Sequence, residues 1–362
     1  MDASQAARFL EEWYFSPLRS ARVPLLLGPM GVGKSTAVRE AAVRIAARLR
    51  LPFLEYDEDA EVGSAFVFVD FRLAGVASED LVGLPREADG SFVYRPMRWV
   101  RVLQRNPGIL LLDEITNVSR EDVKSRVYEI ALSHRIGLHR LREDVMVVLA
   151  GNTDEHSSIA FPLPDPLKSR TVLLRISPPK VEDWIAWMDE HHNDRWDRRV
   201  GSFLLTSGRK FFATTKSEGE GFEQLPDPRG WTHLALYLGS GGKEDPEVLA
   251  GFVGEKAARK FLNYLQLGMG IEDLLREPER WRNLDENGKL MMLDELIFLG
   301  NLGYDEDFLP LLRSLAKEDP EFLSAWVLNL DNEAFKEWVS RMRQDEELSR
   351  ILRRLGSIVR SR

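Results

Sequence analysis

Nine consecutive residues, Gly28-Pro29-Met30-Gly31-Val32-Gly33-Lys34-Ser35-Thr36, fit the pattern G-x-x-x-x-G-K-[ST] at every position. Glycines at 28, 31 and 33 let the backbone turn tightly and aim its N–H groups inward, an arrangement that suits an anion. The pattern predicts that Lys34 reaches the β- and γ-phosphates of a nucleotide and that Ser35 ligates Mg²⁺. A second chemical pair, Asp113-Glu114, closes the apolar run Ile109-Leu110-Leu111-Leu112. Carboxylates at the end of a buried strand stand where open α/β sheets bind ligands. Asp113 is the expected holder of Mg²⁺, directly or through water. Glu114 is the expected general base that polarises an attacking water.

Two further residues have more than one reading. Asn152 follows the apolar run 145–150 and could reach the water or γ-phosphate beside Glu114; an ordinary turn asparagine fits the spacing equally well. Arg229 follows Pro228 at a helix start with no local carboxylate partner, so it is either a directed cation or a plain surface arginine. His191-His192 beside Asp194 invites a metal assignment, but adjacent residues on a helix do not face each other.

These residues need a sheet to bring them together. Five apolar runs, at 23–27, 65–70, 109–112, 145–150 and 171–176, read as strands buried on both faces. Helices are expected at 5–19, 36–50, 99–104 and 119–133, the last capped by Ser119 with Asp122 in a capping-box position. The result is a parallel sheet with helices on both faces. Asp89-Gly90 between alternating apolar residues signals a hairpin, and 134–141 a second one. Prolines make 161–166 an irregular loop. Residues 181–268 read as all-helical, with Trp184, Trp187 and Met188 as a core stripe, 214–221 as a polar mobile stretch and 246–268 as one helix. Short helices continue from 270 and end on a face made by Leu348, Ile351, Leu352 and Leu355. Arg341, Arg343, Arg350, Arg353, Arg354, Arg360 and Arg362 make this last stretch basic, either a solvated face or a surface for an acidic partner.

Composition narrows the function classes. The chain has 362 residues, 44% of them apolar and 30% charged, as in globular proteins of two or three domains. A formal net charge of −9 argues against whole-chain attraction to nucleic acid or an anionic membrane. The absence of Cys excludes disulfides, thiolate catalysis and Cys-ligated zinc. The polar start Met1-Asp2-Ala3-Ser4-Gln5 predicts no secretory leader, and no apolar run nears the roughly 18 residues of a membrane helix, so a cytoplasmic protein is expected.

The motifs at 28–36, 111–114, 151–152 and 167–170 stand in the order and spacing of AAA+ ATPases, which residues 1–265 resemble. The stretch Glu79-Asp80-Leu81-Val82-Gly83, the hairpin leading into Phe92-Val93-Tyr94, the hairpin before the fourth strand and the Pro228-Arg229 helix start resemble the MoxR-type branch. That resemblance implies a P-loop domain at 1–178 with strands ordered 5-1-4-3-2, a helical lid at 179–268 and a helical extension at 269–362. It implies ATP and Mg²⁺ as ligands, with Asn152 as first sensor, Arg170 as an arginine finger reaching a neighbouring subunit, and Arg229 as second sensor. Arg135 would be a further contact between subunits. A homo-oligomeric ring, most often of six, follows from the family, as does a protein client, in some members paired with a von Willebrand factor A domain protein. The Asp89-Gly90 hairpin would then line a central pore. The rival expectation is a nucleic-acid-associated NTPase motor or a restriction-type NTPase, sustained by the basic C-terminal stretch.

Overall fold

A computed structural model describes residues 1–58, 63–153, 165–206, 208–213, 224–301 and 306–354. Part of the 161–166 loop, the 214–221 stretch, Leu355, Arg360 and Arg362 therefore lie outside the described residues. Ten strands occur among those described: β1 (Val23–Leu27), β2 (Phe53–Glu55), β3 (Phe66–Arg72), β4 (Leu84–Ala88), β5 (Ser91–Arg95), β6 (Gly108–Asp113), β7 (Arg135–Ile136), β8 (His139–Arg140), β9 (Val145–Gly151) and β10 (Thr171–Arg175). Six form one sheet in the order β10-β1-β9-β6-β3-β2, all pairs parallel. The order expected for the five predicted strands holds. The sixth, β2, was not expected; with three residues it is too short to show a periodicity, and it forms only because the edge of β3 offers it a partner.

Every residue of β6 and β9 is buried. Successive side chains on a strand face opposite ways, and here each face has its own core. Leu110 and Leu112 join Val67, Val69 and Val147 on one side, while Ile109 and Leu111 join Phe66, Phe68 and Val148 on the other. The second core also receives Ala37, Val38, Ala41, Ala42 and Ile45 from the helix Lys34–Leu49, and Ala6, Ala7 and Leu10 from the helix Ala3–Tyr14. Alanines on both helices let the backbones approach closely. The first helix starts with a capping box between Asp2 and Gln5 and ends ahead of Pro17, so it is shorter than the 5–19 expectation.

Two more boundaries differ. The helix after β6 is Glu121–Ser133, and Ser119 does not cap it; Asp122 instead pairs with Arg120, whose side chain claims the carboxylate from outside the helix. The expected single helix at 246–268 is two, Pro246–Val253 and Glu255–Leu267, broken at Gly254. There φ is +82°, and a Cβ would stand 2.3 Å from the carbonyl oxygen of Gln224.

Both hairpins are present. Strands β4 and β5 are joined by Asp89 (φ 50°) and Gly90 (φ 71°), the positive-φ pair that a tight two-residue turn requires. Strands β7 and β8 turn at Gly137, and His139 Nε2 lies 3.0 Å from the carbonyl oxygen of Tyr94, tying one hairpin to the other.

The chain divides into two compact units. One holds Met1–Trp184 with Asp227–Gly230; the other holds Ile185–Phe212 and the described part of Trp231–Arg362. In the second unit, Phe203 meets Trp231, Phe261 and Tyr264 ring to ring. Beyond residue 270 a separate cluster forms around Leu274, Trp281, Trp326 and Trp338. Trp326 and Trp338 pack edge to face at 5.0 Å, and their indole N–H groups donate to the carbonyls of Leu296 and Gly300. Leu348, Ile351 and Leu352 are buried there, as the sequence predicted. Of the basic stretch, Arg350 pairs with Glu346 and Arg353 bonds Ser349. No helix among the described residues is long and apolar enough to cross a membrane. Replacing Trp338 by Ala should lower stability by about 3–5 kcal/mol, read as a fall in the urea midpoint; a change under about 1 kcal/mol would show that this cluster does not hold the C-terminal helices.

Candidate functional site

Register places the site. In the sheet Leu27 aligns with Gly151, Leu112 with Leu149 and Arg72 with Asp113, so β1, β9, β6 and β3 end together. The loop 28–33 leaves β1 at this edge and runs into the helix that starts at Lys34. Gly28 packs so closely that a Cβ would lie 2.2 Å from the carbonyl oxygen of Ile176. Gly31 and Gly33 hold φ of +72° and +89°, a conformation other residues adopt at a cost. Val32 is buried, Pro29 half-buried, and Met30 and Thr36 are exposed.

Lys34 crosses the loop. Its Nζ donates to the carbonyls of Gly28 (3.0 Å) and Pro29 (2.7 Å) and to Asn152 Oδ1 (3.0 Å). The side chain is 8% exposed, and burial brings its pKa down to about 8. Asp113 and Glu114 oppose that fall, and the positive charge of Arg229 adds to it. Ser35 Oγ donates to Asp113 Oδ2 at 2.6 Å, while Asp113 Oδ1 accepts the Glu114 N–H at 2.7 Å. The hydroxyl and carboxylate are hard oxygen donors side by side. Among the described residues no cluster of three or more His, Cys, Asp or Glu could cage a metal. A site with few protein ligands fits Mg²⁺, which keeps several waters and takes the rest of its shell from phosphates.

Glu114 is half-buried and left-handed (φ 62°, ψ 32°), at the start of a short 3₁₀ turn. Its carboxylate accepts no hydrogen bond from any described residue and stands near enough to act on Lys34. Asn152, 7% exposed, is held from two sides: Oδ1 accepts from Lys34, and its N–H donates to Thr116 Oγ1 at 2.8 Å. Asn152 is thus tied to the loop through Lys34 rather than turned to solvent.

Arg170 joins the helix Asp165–Ser169 to β10. Its carbonyl accepts the N–H of Val23, its N–H donates to Leu167, and its exposed guanidinium has no partner among the described residues. Arg229 is exposed at the start of the helix Pro228–Gly239, in the same compact unit as the loop. Arg135 is exposed on β7.

Three residues join the site that sequence reasoning did not pick out. Thr116 is buried, fixes Asn152 and packs on Gly151, where a Cβ would come within 2.8 Å of its methyl group. Asp70, near the end of β3, is exposed at its surface, yet its carboxyl is pushed up by desolvation on its inner side and by the charge of Asp113. Asp227 lays its carboxylate against Gly31. None carries a motif signal; each arrives through strand register or a chain crossing.

Residues 24–171 match the family model described as ATPase family associated with various cellular activities (AAA). The match runs from β1 to the first residue of β10, under half of the chain, and agrees with a P-loop fold for the sheet that carries the loop, Asp113, Glu114 and Asn152. Among solved structures the chain is similar to NtrX from Brucella abortus, at 16% identity over 98% of this chain and 67% of that one, with a TM-score of 0.39. It is also similar to AMPPCP-bound DnaA from Aquifex aeolicus, at 11% identity over 94% of this chain and 87% of that one, with a TM-score of 0.36. A comparison with curated proteins finds no match.

The depressed Lys34 pKa has a definite sign. Below pH 8 the lysine is charged in both folded and unfolded chains, and the fold bears the cost of burying it. Between about 8 and 10.5 the folded chain has released that proton while the unfolded chain still holds it, so stability from this group rises with pH. Wild type should therefore gain on Lys34→Met across that window, by up to about 3 kcal/mol, with a constant difference below pH 7. Parallel urea titrations that showed no such gain would contradict the burial of a charged lysine.

Proposed function

We propose that this protein is a cytoplasmic, Mg²⁺-dependent ATPase of the AAA+ class that works as a homo-oligomer on a protein client. The observation that carries the reading is the linked pair of contacts, Lys34 to Asn152 and Ser35 to Asp113, which brings the loop, a carboxylate suited to a metal and an amide suited to a water together at one sheet edge. Phosphoryl transfer depends mainly on positioning and charge neutralisation. Lys34 and the loop N–H groups would bind the phosphates, and Ser35 with Asp113 would hold Mg²⁺, whose charge would offset that of the phosphate oxygens. Glu114, free of hydrogen bonds from the described residues, would take the proton of the attacking water, with Asn152 orienting it.

The exposed guanidinium of Arg170, without a partner among the described residues, supports a role on a second copy's nucleotide. A ring, six-membered by the AAA+ resemblance, would place it there. The MoxR-type branch is the finer reading, and the linked hairpins support it. Phe92 and Leu138 are 77% and 78% exposed on them, an apolar surface suited to a protein client, with a von Willebrand factor A domain protein as one such partner. The nucleic-acid reading loses support from the C-terminal helices, where Arg313 and Arg350 are taken up by Asp345 and Glu346.

Glu114→Gln should retain Mg²⁺-ATP binding and lose about 10²-fold or more in turnover; loss of binding with turnover per bound nucleotide intact would refute the general-base role. An arginine supplied by a neighbour is worth roughly 10³–10⁵ in rate. Turnover per subunit should therefore fall on dilution, and Arg170→Ala mixed into wild type should depress it more than its mole fraction. A rate per subunit that stays flat down to the monomer would refute the shared site.

A further inference from the structure

The loop that would hold a polyphosphate has a carboxylate against it. Gly31, its fourth residue, is buried at φ +72°, and an ideal Cβ built there would lie 2.2 Å from Asp227 Oδ2 and 2.4 Å from Asp227 Cγ. Asp227 and the loop belong to the same compact unit. Only the missing side chain of glycine lets the acid come so close. Asp227 Oδ1 accepts the N–H of Gly230 at 2.6 Å and so caps the helix Pro228–Gly239. That cap does not need a charge: asparagine and serine serve helix starts as well as aspartate does. No described residue donates to Oδ2 or forms an ion pair with Asp227. Lys34 spends its bonds on Gly28, Pro29 and Asn152. Arg229, two residues along, acts on Lys34 and is not paired with Asp227. A carboxylate with no cation paired to it among the described residues thus sits on backbone whose turn suits an anion.

We propose that Asp227 is an electrostatic gate on the phosphate loop, which weakens the hold on a nucleoside polyphosphate and speeds its release. The proposal rests on the nucleotide-binding reading above. Like charges a few ångströms apart at a protein surface repel strongly enough to change an affinity by more than about tenfold. The segment Asp227–Gly230 then acts on the loop with two opposite charges: Arg229 draws the phosphates in, and Asp227 limits how long they stay. The acid is a positioning and release residue, outside the bond-breaking chemistry.

The test uses the full chain, fluorescent ADP and Mg²⁺, comparing wild type with Asp227→Asn and Asp227→Ser. Asparagine keeps the size and the cap and removes only the charge; serine keeps the cap with a smaller side chain. Dissociation is followed by stopped-flow chase, and Kd and melting temperature are measured alongside. Both variants should release ADP about tenfold more slowly and bind it correspondingly tighter, with the difference shrinking as salt is raised. Unchanged or faster release in both variants, at an unchanged melting temperature, would overturn the gate while leaving nucleotide binding intact. Failure of wild type to bind ADP at all would overturn the nucleotide-binding reading and the gate with it.

Discussion

One buried ammonium holds the site in shape. Lys34 Nζ reaches two carbonyls of its own loop and the amide oxygen of Asn152, and so joins the chain after β1 to the chain after β9. Burying a charge is costly unless every proton it carries finds an acceptor. Here the three protons have three acceptors, yet burial still brings the pKa down to about 8. The arrangement is thus a cation kept close to its solvation limit, with Asp113 and Glu114 as the nearby charges that favour its protonated form. An incoming polyphosphate would supply the missing counter-charge.

That contact depends on sheet register. Parallel pairing of β1 with β9, and of β9 with β6, ends the three strands at one level. Asp113 then stands beside Ser35, and Asn152 beside Lys34. A slip of one residue on β6 would turn Asp113 to the other face. The two separate cores resist it, because the alternating residues of β6 and β9 fill one core or the other. Thr116 adds a local lock by holding the N–H of Asn152. The strain of Glu114 at φ 62° is borne in the same place, where Asp113 fixes its N–H. Rigid packing below the sheet edge therefore serves the geometry above it.

The remainder of the chain obeys different physics. Past residue 270 the described helices bury tryptophan and phenylalanine anchors, among them Trp281, Trp326, Phe335 and Trp338, in a core of their own. Some of their surface charges are matched in pairs such as Arg313–Asp345 and Lys317–Glu347. The two hairpins carry some of the most exposed apolar groups, Leu84, Phe92 and Leu138.

Much of the site was legible in the amino-acid order because its chemistry is local. The loop 28–36, the acids after 109–112 and the buried strands are each contained in a few consecutive residues, so motif and periodicity reveal them. The Asp89-Gly90 turn is legible for the same reason, since positive φ at both positions restricts the residues that fit. Tertiary structure decided what distant segments do to one another. It brought Asn152 to Lys34, added β2 as an edge strand, divided 246–268 at Gly254, and brought Thr116 and Asp227 to the site. No periodicity encodes these outcomes, because each is set by which backbone approaches which across a sheet or a chain crossing, and the spacing along the chain leaves that open.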